Sequence, residues 1–245
     1  IALQLAFAGL GGDVRYLRSR GQGTKYWGFG AGWVFSTHAE GGYIHSLQEK
    51  PGEGRDAIRI TDRFFGAQLR GFDIRGIGPR IQRIAYVSPT ELDPKGPSVS
   101  DSLGGRAYYM GRLELEFPTS SGLRSLGLRP SAFVDVGSLF AITKPQLLNE
   151  PGICAEDADY DPNTIENDQQ VLEPGETCRT GFTYVPGTGL REFFVGNSAK
   201  PRLSVGVGVN WVSPFGPLRI DIAKALLKQE GDDTKFFSFN VGTQF

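Results

Sequence analysis

The sequence predicts an all-β protein, a transmembrane antiparallel β-barrel whose strands continue to the last residue. Three observations carry that expectation. Side-chain character alternates with a period of two along segment after segment, as in a strand with one apolar and one polar face. Glycine supplies 34 of 245 residues, about twice its usual share of ~7%, which suits neither a helical bundle nor a coiled coil. The connections between alternating segments are short and long by turns, as when successive turns fall on opposite sides of a membrane.

The elements follow in order. Ile1–Phe7 and Asp13–Trp27 read as strands with weaker alternation, and Trp33 and Phe35 alternate with Val34, Ser36 and His38. Ala107, Tyr109, Leu113, Leu115 and Phe117 alternate with Arg106, Tyr108, Arg112, Glu114 and Glu116. Leu128, Ala132, Val134 and Val136 alternate with Arg129, Ser131, Phe133, Asp135 and Gly137. Leu203, Val205, Val207, Val209 and Trp211 alternate with Ser204, Gly206, Gly208 and Asn210, and Leu218, Ile220 and Ile222 with Arg219, Asp221 and Ala223. The last segment, Lys235–Phe245, sets Phe237, Phe239, Val241, Thr243 and Phe245 against Phe236, Ser238, Asn240, Gly242 and Gln244. Eight strands are expected. The connections at 28–32, 118–127 and 213–217 are short. Those at 48–103 and 141–201 are long, and those at 8–12 and 227–234 modest. With a periplasmic C-terminus, all seven fall on the side expected of them.

The apolar parity suits either the core of a soluble sandwich or lipid. Two features favour lipid. The opposite parity carries charge and small residues (Arg112, Glu114, Arg219, Asp221, many glycines), as a wet lumen would. Aromatics gather near strand ends (Trp27, Trp33, Trp211, Phe215, Phe245), as in interfacial girdles. No stretch approaches the ~18–20 apolar residues of a membrane helix. Ile1 begins directly in a strand-like pattern with no leader before it, which predicts a mature chain or one cut from something larger.

Composition narrows the chemistry. Lys+Arg (26) and Asp+Glu (27) nearly cancel, so no global field exists to hold nucleic acid. Two cysteines and two histidines form no zinc cluster, and no metal or cofactor is expected. His38 and His45 lie seven positions apart with no nucleophile motif near them. Neither a G-x-S-x-G elbow nor a phosphate loop is present, so an enzyme is not expected.

An eight-stranded barrel has room only for its own side chains. The connection 48–103 is long, and Phe64, Phe65, Leu69, Phe72, Ile74 and Ile77 within it should not sit bare in water. A larger barrel, with further strands before Ile1 and this loop folded into its lumen, resolves the conflict.

The same loop carries Asp62-Arg63-Phe64-Phe65-Gly66-Ala67-Gln68-Leu69-Arg70-Gly71-Phe72 and then Gly76-Ile77-Gly78-Pro79-Arg80. It resembles the lumen loop of the outer-membrane protein insertase family of BamA type (the surface-antigen domain), with its [VIL]-R-G-F motif followed by G-x-G-P. Four more segments resemble that family in register. They are Gly104-Gly105 through Glu114 to Pro118-Thr119, Phe133-Val134-Asp135-Val136-Gly137, Trp211-Val212-Ser213-Pro214-Phe215-Gly216-Pro217-Leu218, and the ending Phe237 to Phe245. The chain departs from the pattern at Phe65–Leu69, where the family usually has a paired glycine and a longer approach to the arginine. The resemblance covers essentially residues 1–245. It implies a 16-stranded barrel of which these are the last eight strands, with the first eight and the periplasmic POTRA repeats lying upstream. It also implies an insertase of the Gram-negative outer membrane that acts on nascent barrel proteins with assembly lipoproteins and membrane lipid. Related translocation pores (autotransporter assembly or two-partner secretion type) share the motif, and a passive porin is a third reading. An outer-membrane hydrolase lacks a plausible catalytic set.

Within that frame Leu69, Arg70, Gly71 and Phe72 are expected to latch the loop in the lumen. A guanidinium inside a barrel needs partners, and Glu114 and Asp135 lie on the inward parity of neighbouring strands. The plain alternative is a solvated surface arginine. The last strand, with Phe237, Phe239, Val241 and Phe245, is expected to form one side of a lateral seam where nascent strands add to an open edge. Cys154 and Cys178 share the outer loop 141–201, where an oxidising envelope favours a disulfide over two free thiols. Asp157, Asp159, Asp161 and Asn163 superficially resemble a calcium loop. Pro162 and Asp168 stand where such a loop needs glycine and glutamate, so a solvated acidic loop is expected.

Overall fold

A computed structural model of the protein describes residues 2–8, 15–49, 51–66, 68–156, 169–213 and 216–241. Eight strands form one antiparallel sheet: β1 (Ala2–Ala8), β2 (Tyr16–Gly30), β3 (Trp33–Ser46), β4 (Ala107–Glu116), β5 (Leu128–Phe140), β6 (Arg202–Ser213), β7 (Gly216–Leu227) and β8 (Phe237–Val241). Their order in the sheet is their order in the chain, a meander with β1 and β8 at the two edges. Among the described residues these edges do not pair with each other, so the sheet is open.

The two parities separate as the alternation requires. On β7, Ile220 and Ile222 are 40% and 43% exposed, whereas Arg219, Asp221 and Ala223 are buried. On β5, Val134 is exposed and Ser131, Phe133 and Asp135 are buried. The outward row continues through Leu113, Val207, Phe237, Phe239 and Val241, the apolar band of a membrane barrel. β3 runs to Ser46, eight residues beyond the alternation at Trp33–His38. Glu40, Gly41 and Gly42 break the sequence pattern. Glu40 nevertheless meets Arg20 at 2.8 Å, and the space beside Gly42 is filled by Phe64 and Tyr108.

The loop-facing side of the sheet is where the apolar core lies. Ile58, Phe64, Leu69, Phe72 and Ile77 of the loop pack with Ile44, Tyr108, Met110 and Leu139 of the strands. Ile74 departs from expectation: it is 70% exposed, at a turn just beyond the packed tip. The long connections are not irregular throughout. Arg80–Ala85 of the first pairs with Leu190–Val195 of the second, and Val99–Ser102 and Asn149–Glu150 complete that four-stranded sheet. Ile153–Ala155, Gln169–Val171 and Thr183–Tyr184 make another sheet, which the Cys154–Cys178 disulfide staples with a Cα–Cα distance of 5.6 Å.

Candidate functional site

The charged centre of the molecule forms where the loop tip meets the inward faces of β4, β5 and β7. Leu69 is buried, and Gly71 adopts a φ of +85°, which a residue with a side chain rarely takes. That turn lets Leu69 and Phe72 enter the apolar core together while Arg70 projects onto the strands. Arg70 Nε and Nη2 donate to the two oxygens of Asp135 at 2.9 and 2.5 Å, the bidentate fork a planar guanidinium favours. Arg70 Nη1 donates to Glu114 Oε2 at 2.7 Å, and the Arg70 backbone N–H donates to Asp135 Oδ2 at 3.0 Å. The guanidinium lies over the Phe133 ring, 3.5 Å from its centroid. Burial alone would push the Arg70 pKa down. The two carboxylates outweigh it and hold the group above its ordinary value, so it stays a cation.

The F-x-D-x-G segment on β5 thus has a physical reading for each residue. Phe133 gives the cation a π face, Asp135 gives it a fork, and Gly137 leaves room for the loop. A Cβ at Gly137 would stand 2.6 Å from the Tyr109 carbonyl oxygen and 3.2 Å from Leu69 Cδ2. Sequence parity placed Glu114 and Asp135 within reach of Arg70, and the structure brings all three together.

Three partners were not singled out from sequence. Arg219 on β7 donates to Glu114 Oε1 at 2.9 Å and pairs with Asp221 at 2.8 Å. Arg112 stands 3.7 Å from Asp135 and donates to the Gln68 carbonyl oxygen. Ser131 Oγ donates to Glu114 at 2.6 Å. The cluster balances three arginines (70, 112, 219) against three carboxylates (114, 135, 221), as burial of so much charge requires. The inward parity of Arg112, Arg219 and Asp221 was legible. Their convergence was not, because β4 and β7 are separated by the 99 residues of loop and strand at 117–215.

Phe237, Phe239 and Val241 are 52%, 53% and 67% exposed on the outward face of β8. Phe245 lies outside the described residues, as do Ala67, Pro214 and Phe215 of the quoted motifs and Asp157, Asp159, Asp161 and Asn163 of the acidic run. His38 Nδ1 bonds Thr24 Oγ1 at 2.8 Å, and Nε2 lies 3.6 Å from Glu40.

The Omp85 superfamily domain matches residues 1–245. The outer membrane protein assembly factor BamA of Neorickettsia risticii is 29% identical over 239 residues, covering 98% of this chain and 23% of that protein. BamA of Neisseria meningitidis serogroup B is 27% identical over 195 residues, covering 77% of this chain and 19% of that protein. The crystal structure of BamA from Haemophilus ducreyi lacking POTRA domains 1–3 shares the fold, with a TM-score of 0.57 and 23% sequence identity. That likeness covers 95% of this chain and 36% of the other. The chain therefore spans roughly a fifth to a quarter of the length of these curated relatives. Matched from its first residue to its last, the chain belongs to the Omp85 superfamily of outer-membrane β-barrel proteins of Gram-negative bacteria.

Proposed function

We propose that residues 1–245 form the C-terminal half of the barrel of a BamA-type outer-membrane protein assembly factor. In this reading sixteen strands close the complete barrel, the other eight preceding Ile1 together with periplasmic POTRA repeats. The loop 48–103 occupies the lumen, and the loop 141–201 faces outward above it. Nascent β-barrel proteins are the clients, with assembly lipoproteins and outer-membrane lipid as partners. No covalent chemistry is called for. In the complete barrel β8 would meet the first strand, and a weakly closed seam there would offer an edge of N–H and C=O groups, the form of surface to which another strand adds. Its outward aromatics sit in lipid, and weak closure at that seam thins the bilayer where a client strand enters.

The observation that carries the reading is the Arg70 cluster. Two buried ion pairs, from Arg70 to Asp135 and to Glu114, hold one loop across the strands, which a passive porin would have no use for. The named relatives, both assembly factors, favour this role over a translocation pore. The test is complementation in cells depleted of the natural full-length protein. Arg70→Ala is expected to lower the folded, membrane-inserted fraction of client barrels, with Arg70→Lys intermediate because an ammonium lacks the fork. Full client assembly by Arg70→Ala would refute the latch as part of the machine.

A further inference from the structure

The connection 228–236, between β7 and β8, is held more firmly than a surface turn needs to be. Its Asp232 carboxylate receives Arg202 Nε and Nη2 at 3.0 and 3.1 Å, and both side chains are 0% exposed. The remaining Arg202 protons go to Ser138 Oγ, the Ser198 carbonyl and the Gly196 carbonyl at 2.7–2.9 Å. Next to it, Asp233 pairs with the buried Arg80 of the lumen loop. The backbone of 233–235 also pairs with the loop segment that follows the latch. Asp73 N–H donates to the Asp233 carbonyl at 3.0 Å, Asp233 N–H to the Gly76 carbonyl at 2.8 Å, and Lys235 N–H to the Gly71 carbonyl at 3.1 Å. Phe72 and Thr234 form the antiparallel bridge between these bonds. One residue further, Ala223 N–H donates to the Phe236 carbonyl at 2.9 Å and the β7–β8 ladder begins.

The connection is thus one rigid piece shared by three parts: the wall at β6, the loop tip beside Arg70, and the edge strand. A buried ion pair adds little net stability over apolar packing, but it can select a single arrangement. We infer that Asp232 is a positioning residue. Anchored on Arg202, it holds the connection so that release of the Arg70 latch is transmitted to the pairing of β8 with β7. What β8 does when it loosens rests on the assembly reading above; the coupling itself does not.

The test is amide hydrogen exchange at residues 237–241 of the full-length protein in lipid nanodiscs, with client assembly measured on the same variants. Arg70→Ala and Asp232→Asn are each expected to speed that exchange roughly tenfold, by lowering the local opening free energy. The double variant should exchange no faster than the faster single, because both changes break one shared unit. Unchanged exchange in Arg70→Ala, or effects that multiply in the double variant, would overturn the coupling. If Asp232→Asn fails to reach the membrane, Asp233→Asn, whose side chain is 54% exposed, carries the same cycle. Faster exchange with normal client assembly in Arg70→Ala would sink the assembly reading and leave the coupling standing. Impaired assembly with unchanged exchange would do the reverse.

Discussion

Arg70→Ala is the sharpest perturbation of the fold, because the structure states what is lost and what remains. The substitution removes two side-chain hydrogen bonds to Asp135, one to Glu114, and the stack on Phe133. Among the described residues Asp135, at 0% exposure, keeps the backbone N–H of residue 70 and the Arg112 guanidinium at 3.7 Å. Removing one partner of a buried pair costs ~3–5 kcal/mol. Glu114 retains Arg219 and Ser131, which draws the value toward the lower end. Loss of the cation–π contact adds ~1 kcal/mol. The expected total is ~3–4 kcal/mol. It is measured by urea unfolding of the full-length protein in detergent micelles, followed by the mobility of the unboiled barrel on a gel. Asp135→Ala closes a double-mutant cycle, with an expected coupling energy of ~2–3 kcal/mol. A cost below ~0.5 kcal/mol, the range of ordinary surface changes, would show a solvent-screened guanidinium and refute the reasoning.

Further expectations follow from the same geometry. Gly137→Val forces a side chain into the Tyr109 carbonyl and Leu69, so it should cost ~1–3 kcal/mol and free the loop for proteolysis near residue 69; an unchanged digestion pattern would count against the packing described. Replacing both Cys154 and Cys178 by serine removes a staple worth ~3–4 kcal/mol to the outer loop in the chain-entropy model, and should speed cleavage within 141–201 while leaving the β5–β6 ladder protected. Glu192 gives a pH dependence. Burial pushes its carboxyl up, but Arg83 Nε at 2.9 Å and the Leu148 N–H at 3.1 Å prevail and hold it below its ordinary value of 4.5. Its contribution to the sheet joining the two long loops is therefore present above that value and lost as pH falls through the lowered one. Acidification should open 190–195 to exchange, and Glu192→Gln should remove that part of the pH response.

Much of the architecture was written locally. Alternation along Leu203–Trp211 and Leu218–Ala223 depends only on neighbouring residues, so a strand and its two faces can be read without a partner. The partners of Arg70 were legible because a guanidinium folded against the strands requires carboxylates, and Glu114 and Asp135 stood on the right parity of adjoining strands. Tertiary structure alone decided the rest. Arg219 and Asp221 joined the Arg70 cluster because the meander carries β7 to the same level as β4. Leu190–Val195 became a strand by pairing with Arg80–Ala85, more than one hundred residues away, and neither segment carries a turn signal that names the other. Nothing local to Asp232 and Asp233 names their partners; the fold sets Arg202 and Arg80 beside them. A residue's periodicity reports the medium on each side of its own backbone, whereas an ion pair is set by the distance between side chains that only the folded sheet and its loops bring within a few ångströms.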